Sequence, residues 1–164
     1  MTADPAFDVQ LLQTGASVEN VLVSAYEALL GQPLFSGTTA NATLRGWAAS
    51  FRDQHADHAR ACNEIATRLG GRPQTAQNSV LAQVLTRARP NIADPVAGFD
   101  LVIELESASS QTYQNAVGLI GDLNARRLAA SIMCVEAQHA AALYLARGLA
   151  AARTLDLIAM EAGA

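Results

Sequence analysis

Lysine is absent from this sequence: all eleven basic residues are arginines, which we read as a compositional bias of the source rather than as chemistry. Fifteen acidic residues outnumber them and leave a net charge of −4. That balance argues against a nucleic-acid partner, which demands a basic patch. Aromatics are scarce at 5%, although hydrophobic residues reach 51%. The apolar content is therefore mostly Ala, Leu and Val, which suits closely packed helices better than a β-sandwich. Two isolated cysteines, Cys62 and Cys134, are too few for a disulfide framework or a zinc cluster. Cys62 falls on an apolar face and is expected to be a small buried hydrophobe. No run of about 20 apolar residues is free of polar ones, so no membrane span is expected. The chain begins Met1-Thr2-Ala3-Asp4-Pro5, with no basic segment leading into an apolar one. A cytoplasmic protein is expected from that start, or an exported one if a leader has been removed.

What is present organises into helices. The 164 residues suit one domain over 1–164, with a bundle over about 5–153 and a tail over 154–164. Asp4 and Pro5 start a first helix that Gly31 and Pro33 close near Leu30. Its apolar face carries Leu11, Leu12, Gly15, Leu22 and Tyr26, with Glu19 in the middle and Glu27 turned to solvent. A second helix is expected from Thr39 to Leu69, ended by Gly70-Gly71. A connection of roughly 24 residues follows, long enough to cross the bundle, with a short helix over 76–88 through Val80, Leu81, Val84 and Leu85. Asp94 and Pro95 open a third long helix to about Ile120, and a fourth runs from Leu123 to Arg153.

The second helix presents an apolar stripe of Leu44, Trp47, Phe51, His55, His58, Cys62 and Leu69. Two of the three histidines thus point inward, three residues apart on one face. The third, His139, sits three residues after Glu136 within a stripe of Ile132, Met133, Ala140 and Leu143. On the third helix Glu106 shares a face with Phe99, Val102, Ile103 and Tyr113, whereas Glu104 faces solvent. An internal repeat emerges. Glu19 precedes Tyr26 by seven residues, as Glu106 precedes Tyr113, and His55/His58 stands against Glu136/His139. If the two helix pairs pack about a pseudo-twofold axis, Glu19, His55, His58, Glu106, Glu136 and His139 converge. Six oxygen and nitrogen donors suit iron or manganese, and zinc also fits, as one or two ions. The tyrosines either pack or support the acids. The bland alternative is a set of hydrogen-bonded core histidines.

These residues resemble the ferritin-like superfamily, whose four-helix bundle with a long B–C crossover carries a Glu on each of two helices and Glu-x-x-His on the other two. Glu19 and Glu106 match the single glutamates, Glu136-Ala137-Gln138-His139 matches one motif, and His58 matches the histidine of the other. The likeness covers about residues 5–153 and is nearest to bacterial ferritin-like proteins without an assigned role, not to the iron-storing cages. It implies an all-α ferritin-like four-helix bundle with a carboxylate-bridged di-metal site. His55 departs from it by standing where the family places a metal-bridging glutamate. A different alignment, with Gln54-His55-Ala56 on Gln138-His139-Ala140, would put Arg52 there.

Two functions are expected from this. One is a ferritin-like metal-binding protein, extending to an iron- or manganese-dependent diiron-type oxidoreductase with no separate general base in view. The other is a metal-free helical scaffold or binding module. The partners expected are metal ions, with a homodimer left open.

Overall fold

The computed structural model describes residues 4–33, 35 and 42–147. Among them the chain is all helical: α1 Pro5–Leu30, α2 Ala42–Arg68, a short α3 Ser79–Ala88 continued by a 3-10 turn Arg89–Asn91, α4 Pro95–Val117 and α5 Leu123–Ala146. Short polar side chains fix where these helices begin. Asp4, Asn78, Asp94 and Asp122 each accept a backbone N–H from the first turn, which satisfies donors that have no partner inside the helix. At the far end of α2, Gly70 takes φ +90, the left-handed conformation that glycine adopts at little cost. Its N–H bonds Thr67 O and the next N–H bonds Ala66 O, a Schellman closure. α4 ends at Val117, short of Ile120, because Gly118 weakens the helix there. The expected start of the second helix at 39–41, its counterpart's extension to Arg153 and the tail 154–164 lie outside the described residues.

α1 packs mainly on α2, and α4 mainly on α5, with α1 against α4 joining the halves. Asp8, near the start of α1, accepts from Gly121 N and Asp122 N at 2.8 and 2.7 Å, so the α4–α5 turn lies at that end of the bundle. The connection between α2 and α4 returns along α1. Gln13 donates to Arg72 O, Asn20 to Gln74 O and Ala76 O, Gln77 to Ser24 Oγ, and Asn78 N to Ser17 O. Side chains of α1 thereby satisfy carbonyls of a non-helical strap. The crossover is real, and its helix is α3.

One expected inward position, Trp47, is corrected, and the crossover helix exposes part of its apolar set. Val80 is 67% exposed, since α3 buries only Leu85 and partly buries Leu81 and Val84. Trp47, on the inward stripe of α2, is 39% exposed because that stripe opens into a cleft facing α5. Glu27 and Glu104 face solvent as expected, and Cys62 is fully buried. Among the described residues α5 alone is long and apolar enough to cross a membrane, with a mean hydropathy of 1.3. It also carries Glu136 and His139 into the bundle core, so its composition is weak support for a span.

Candidate metal centre

The core is polar where the four long helices meet. Glu19 of α1, His55 of α2, Glu106 of α4 and Glu136 of α5 are all 0% exposed, and His139 of α5 is 3% exposed. His58 of α2 is largely buried, with 14% of its side chain exposed. The three-residue spacings put both members of each pair on one helix face, which the helix packing turns inward. All six side chains picked from the sequence gather here.

They form two overlapping quartets. Glu19, His55, His58 and Glu136 make the first, and His55, Glu106, Glu136 and His139 the second, each with ligand-type atoms within 4.8 Å of one another. The first quartet closes into a ring of donors. His55 Nδ1 lies 2.7 Å from Glu19 Oε2 and 3.6 Å from Glu136 Oε1. His58 Nδ1 lies 2.9 Å from Glu136 Oε1 and 3.6 Å from Glu19 Oε2. In the second, His55 Nε2 is 3.1 Å from Glu106 Oε1, and His139 Nδ1 is 3.4 Å from Glu106 Oε2. Ligands about 2.0–2.2 Å from a common ion stand roughly 3–3.6 Å from each other, a range that four of these six spacings share, the His55–Glu19 and His58–Glu136 contacts being shorter.

A second feature tests the fit. His58 Nδ1, His139 Nδ1, Glu106 Oε2 and both Glu136 oxygens are buried and make no hydrogen bond among the described residues. His58 Nδ1 and Glu136 Oε1 are close yet misaligned for one. Five orphaned buried polar atoms in one cluster are costly unless a further group satisfies them. A cation does so.

Neighbouring groups hold the donors in place. Tyr26 hydroxyl donates to Glu106 Oε1 across the bundle, and its ring stacks on His55 with centroids 5.5 Å apart. Tyr113 lies beside Glu19 and Cys62, with its hydroxyl 3.6 Å from Cys62 Sγ. Gly15 makes that placement feasible, since a Cβ there would meet the Tyr113 hydroxyl at 2.9 Å. Each tyrosine thus serves the acid of the opposite half. Sequence reasoning did not find two further supports. Gln54 Oε1 accepts from His139 Nε2 at 2.5 Å, which puts the proton on Nε2 and turns Nδ1 toward Glu106. Ser109 Oγ donates to Glu19 Oε1 at 3.5 Å. Arg52 pairs on the surface with Asp53, so the alignment placing it in the carboxylate position fails.

The electrostatics are internally balanced. Burial opposes charge on His55, but Glu106, Glu136 and Glu19 outweigh it, and its pKa stands well above the usual imidazole range. Burial likewise opposes charge on His58, yet Glu136 and Glu19 hold it up at about 9. Glu19 and Glu106 remain below the ordinary carboxyl value, because their histidine partners outweigh the burial that raises them. Glu136 moves the other way: burial and the nearby Glu19 carboxylate push it well up. Burial also lifts the Cys62 thiol to about 12, which makes it inert as a thiolate.

A pH dependence follows for the metal-free protein. A histidine whose pKa is raised on folding stabilises fully below its unfolded value, and that stability is lost as pH rises through the folded one. For His58 the window is from about 6.5 to about 9. Discounted for its partly exposed edge, the loss is expected to be about 1–2 kcal/mol, read as a falling melting temperature across that window in chelator and flattened in His58→Gln.

An open cleft of about 480 Å³ between α2 and α5 reaches this cluster. Trp47, Phe51, Gln54 and Gln138 line it, and His58 and His139 lie at its inner side. The family model for the ferritin-like domain matches residues 7–149 of the chain. No curated protein matches it.

Proposed function

The chain belongs to the ferritin-like domain family, and on that premise we propose that it is a metal-binding protein whose ligands are Glu19, His55, His58, Glu106, Glu136 and His139. The observation that carries this reading is the set of orphaned donor atoms inside two overlapping quartets. Three carboxylates supply anionic charge and three imidazoles supply borderline nitrogen, a mixture suited to iron or manganese and tolerated by zinc. Bound iron or manganese would supply electron-transfer chemistry toward oxygen or peroxide, the oxidoreductase form of this function. The chain's own part is to hold the ions in its buried core and admit small molecules through the α2–α5 cleft. Protons on His55, His58 and Glu136 must leave as cations enter, so affinity is expected to rise with pH.

Metal analysis after growth with iron, manganese and zinc tests this, together with melts before and after chelation. Metal present at about a thousandfold over its dissociation constant adds about 4 kcal/mol, which raises the melting temperature by roughly 10 °C. A protein that comes out free of metal, with an unmoved melt on metal addition, would sink the proposal.

One observation favours a second reading. His55 hydrogen-bonds both Glu19 and Glu106 and so already closes part of the core. A metal-free scaffold would rest on that network. The same melts separate the two.

A further inference from the structure

His55 stands in both quartets, and its two nitrogens face different carboxylates. Its Nδ1 faces Glu19 and Glu136, and its Nε2 faces Glu106 on the other side of the ring. Three neighbouring rings hold its orientation. Tyr26 stacks on it at an interplanar angle of 20°, and His139 and His58 meet it edge-on at 5.2 and 6.0 Å. A pinned imidazole whose nitrogens face different carboxylates serves two ions by joining them.

We propose that His55 is a bridging ligand, one imidazole ring linking two metal ions through Nδ1 and Nε2. This rests on the metal-binding reading. Both N–H protons of the ring leave to solvent and each nitrogen gains a bond to a cation, so the bound ring carries one negative charge. Charge balance supports that state. Two divalent ions carry four positive charges, and Glu19, Glu106 and Glu136 supply three negative ones. A surplus positive charge among fully buried groups is costly. The anionic ring removes it, doing electrically what a glutamate at position 55 would do. Geometrically it does not, because its two nitrogens point apart. The ions must therefore stand further apart than a carboxylate holds them.

Copper(II) is a suitable spin probe, since it binds nitrogen and oxygen sites tightly among divalent ions. Metal-free protein titrated with copper(II) is expected to show an isolated-copper electron paramagnetic resonance signal at one equivalent. With a second equivalent the integrated signal should fall well below two spins, as coupling passes through the ring. In His55→Gln the imidazole path is gone, so any two coppers bound should integrate closer to two spins than in the native protein, and coupling unchanged from the native protein would overturn the bridge. Should that variant fold poorly, His55→Glu provides the other arm: X-ray absorption should give a shorter copper–copper separation than in the native protein. Two uncoupled coppers in the native protein, or one copper with no second, would overturn the bridge while leaving metal binding intact. An unchanged separation in His55→Glu would overturn it too. No copper uptake at all would end both this inference and the reading beneath it.

Discussion

Replacing His55 with alanine is expected to destabilise the metal-free protein by about 3–5 kcal/mol, the cost of breaking a buried ion pair by removing one partner. His55 is fully buried and hydrogen-bonds Glu19 at 2.7 Å and Glu106 at 3.1 Å. Without it two carboxylates face each other and Glu136 in a dry core. For a chain of this length the melting temperature should drop by roughly 10 °C or more. In denaturant the midpoint should fall with the slope unchanged. An unaltered melt would mean that the imidazole does not compensate these acids.

Glu136 should behave in the opposite way. Both of its oxygens are buried and make no hydrogen bond, and it is pushed toward its neutral form. Glu136→Gln takes one carboxylate partner from His58, which keeps Glu19, and relieves the repulsion among Glu136, Glu19 and Glu106. Its stability is expected to stay within about 1 kcal/mol of the native value or to rise. Metal binding should collapse, because Glu136 belongs to both quartets. Losses of groups that merely orient a ligand cost about 10–100-fold in affinity, so loss of a shared ligand should exceed that range at both half-sites. Calorimetric titration with manganese(II) or zinc(II) reads this directly. A variant that bound two ions as well as the native protein would remove Glu136 from the centre. Set side by side, the two substitutions separate what holds the fold from what the fold is for.

Much of this was readable from the residues. Capping is local chemistry, so Asp4-Pro5, Asp94-Pro95 and Gly70-Gly71 marked helix ends close to where α1, α4 and α2 place them. Helical periodicity put Glu19, Glu106, His55, His58, Glu136 and His139 on inward faces, and the structure brings these six together. Whether a stripe stays covered along its whole length is a tertiary matter, which is why Trp47 emerged half-exposed in the α2–α5 cleft. Gln54 was hidden for a related reason: it is exposed, and only the approach of α5 gives it His139 as a partner. Ser109 became a partner of Glu19 only through the meeting of α1 and α4. Asp8 did leave a trace, since positions 8, 12, 15, 19, 22 and 26 share one stripe and all are buried.

That last residue has a consequence at a distance. Asp8 fastens the α4–α5 turn to α1, and eleven residues later the same helix delivers Glu19. The span is about 16 Å of rigid rod at 1.5 Å per residue. Inserting or deleting one amino acid within it would swing Glu19 by about 100° around the helix axis. Added loop length costs little by comparison, but this short gauge between anchor and carboxylate has to be kept to the residue.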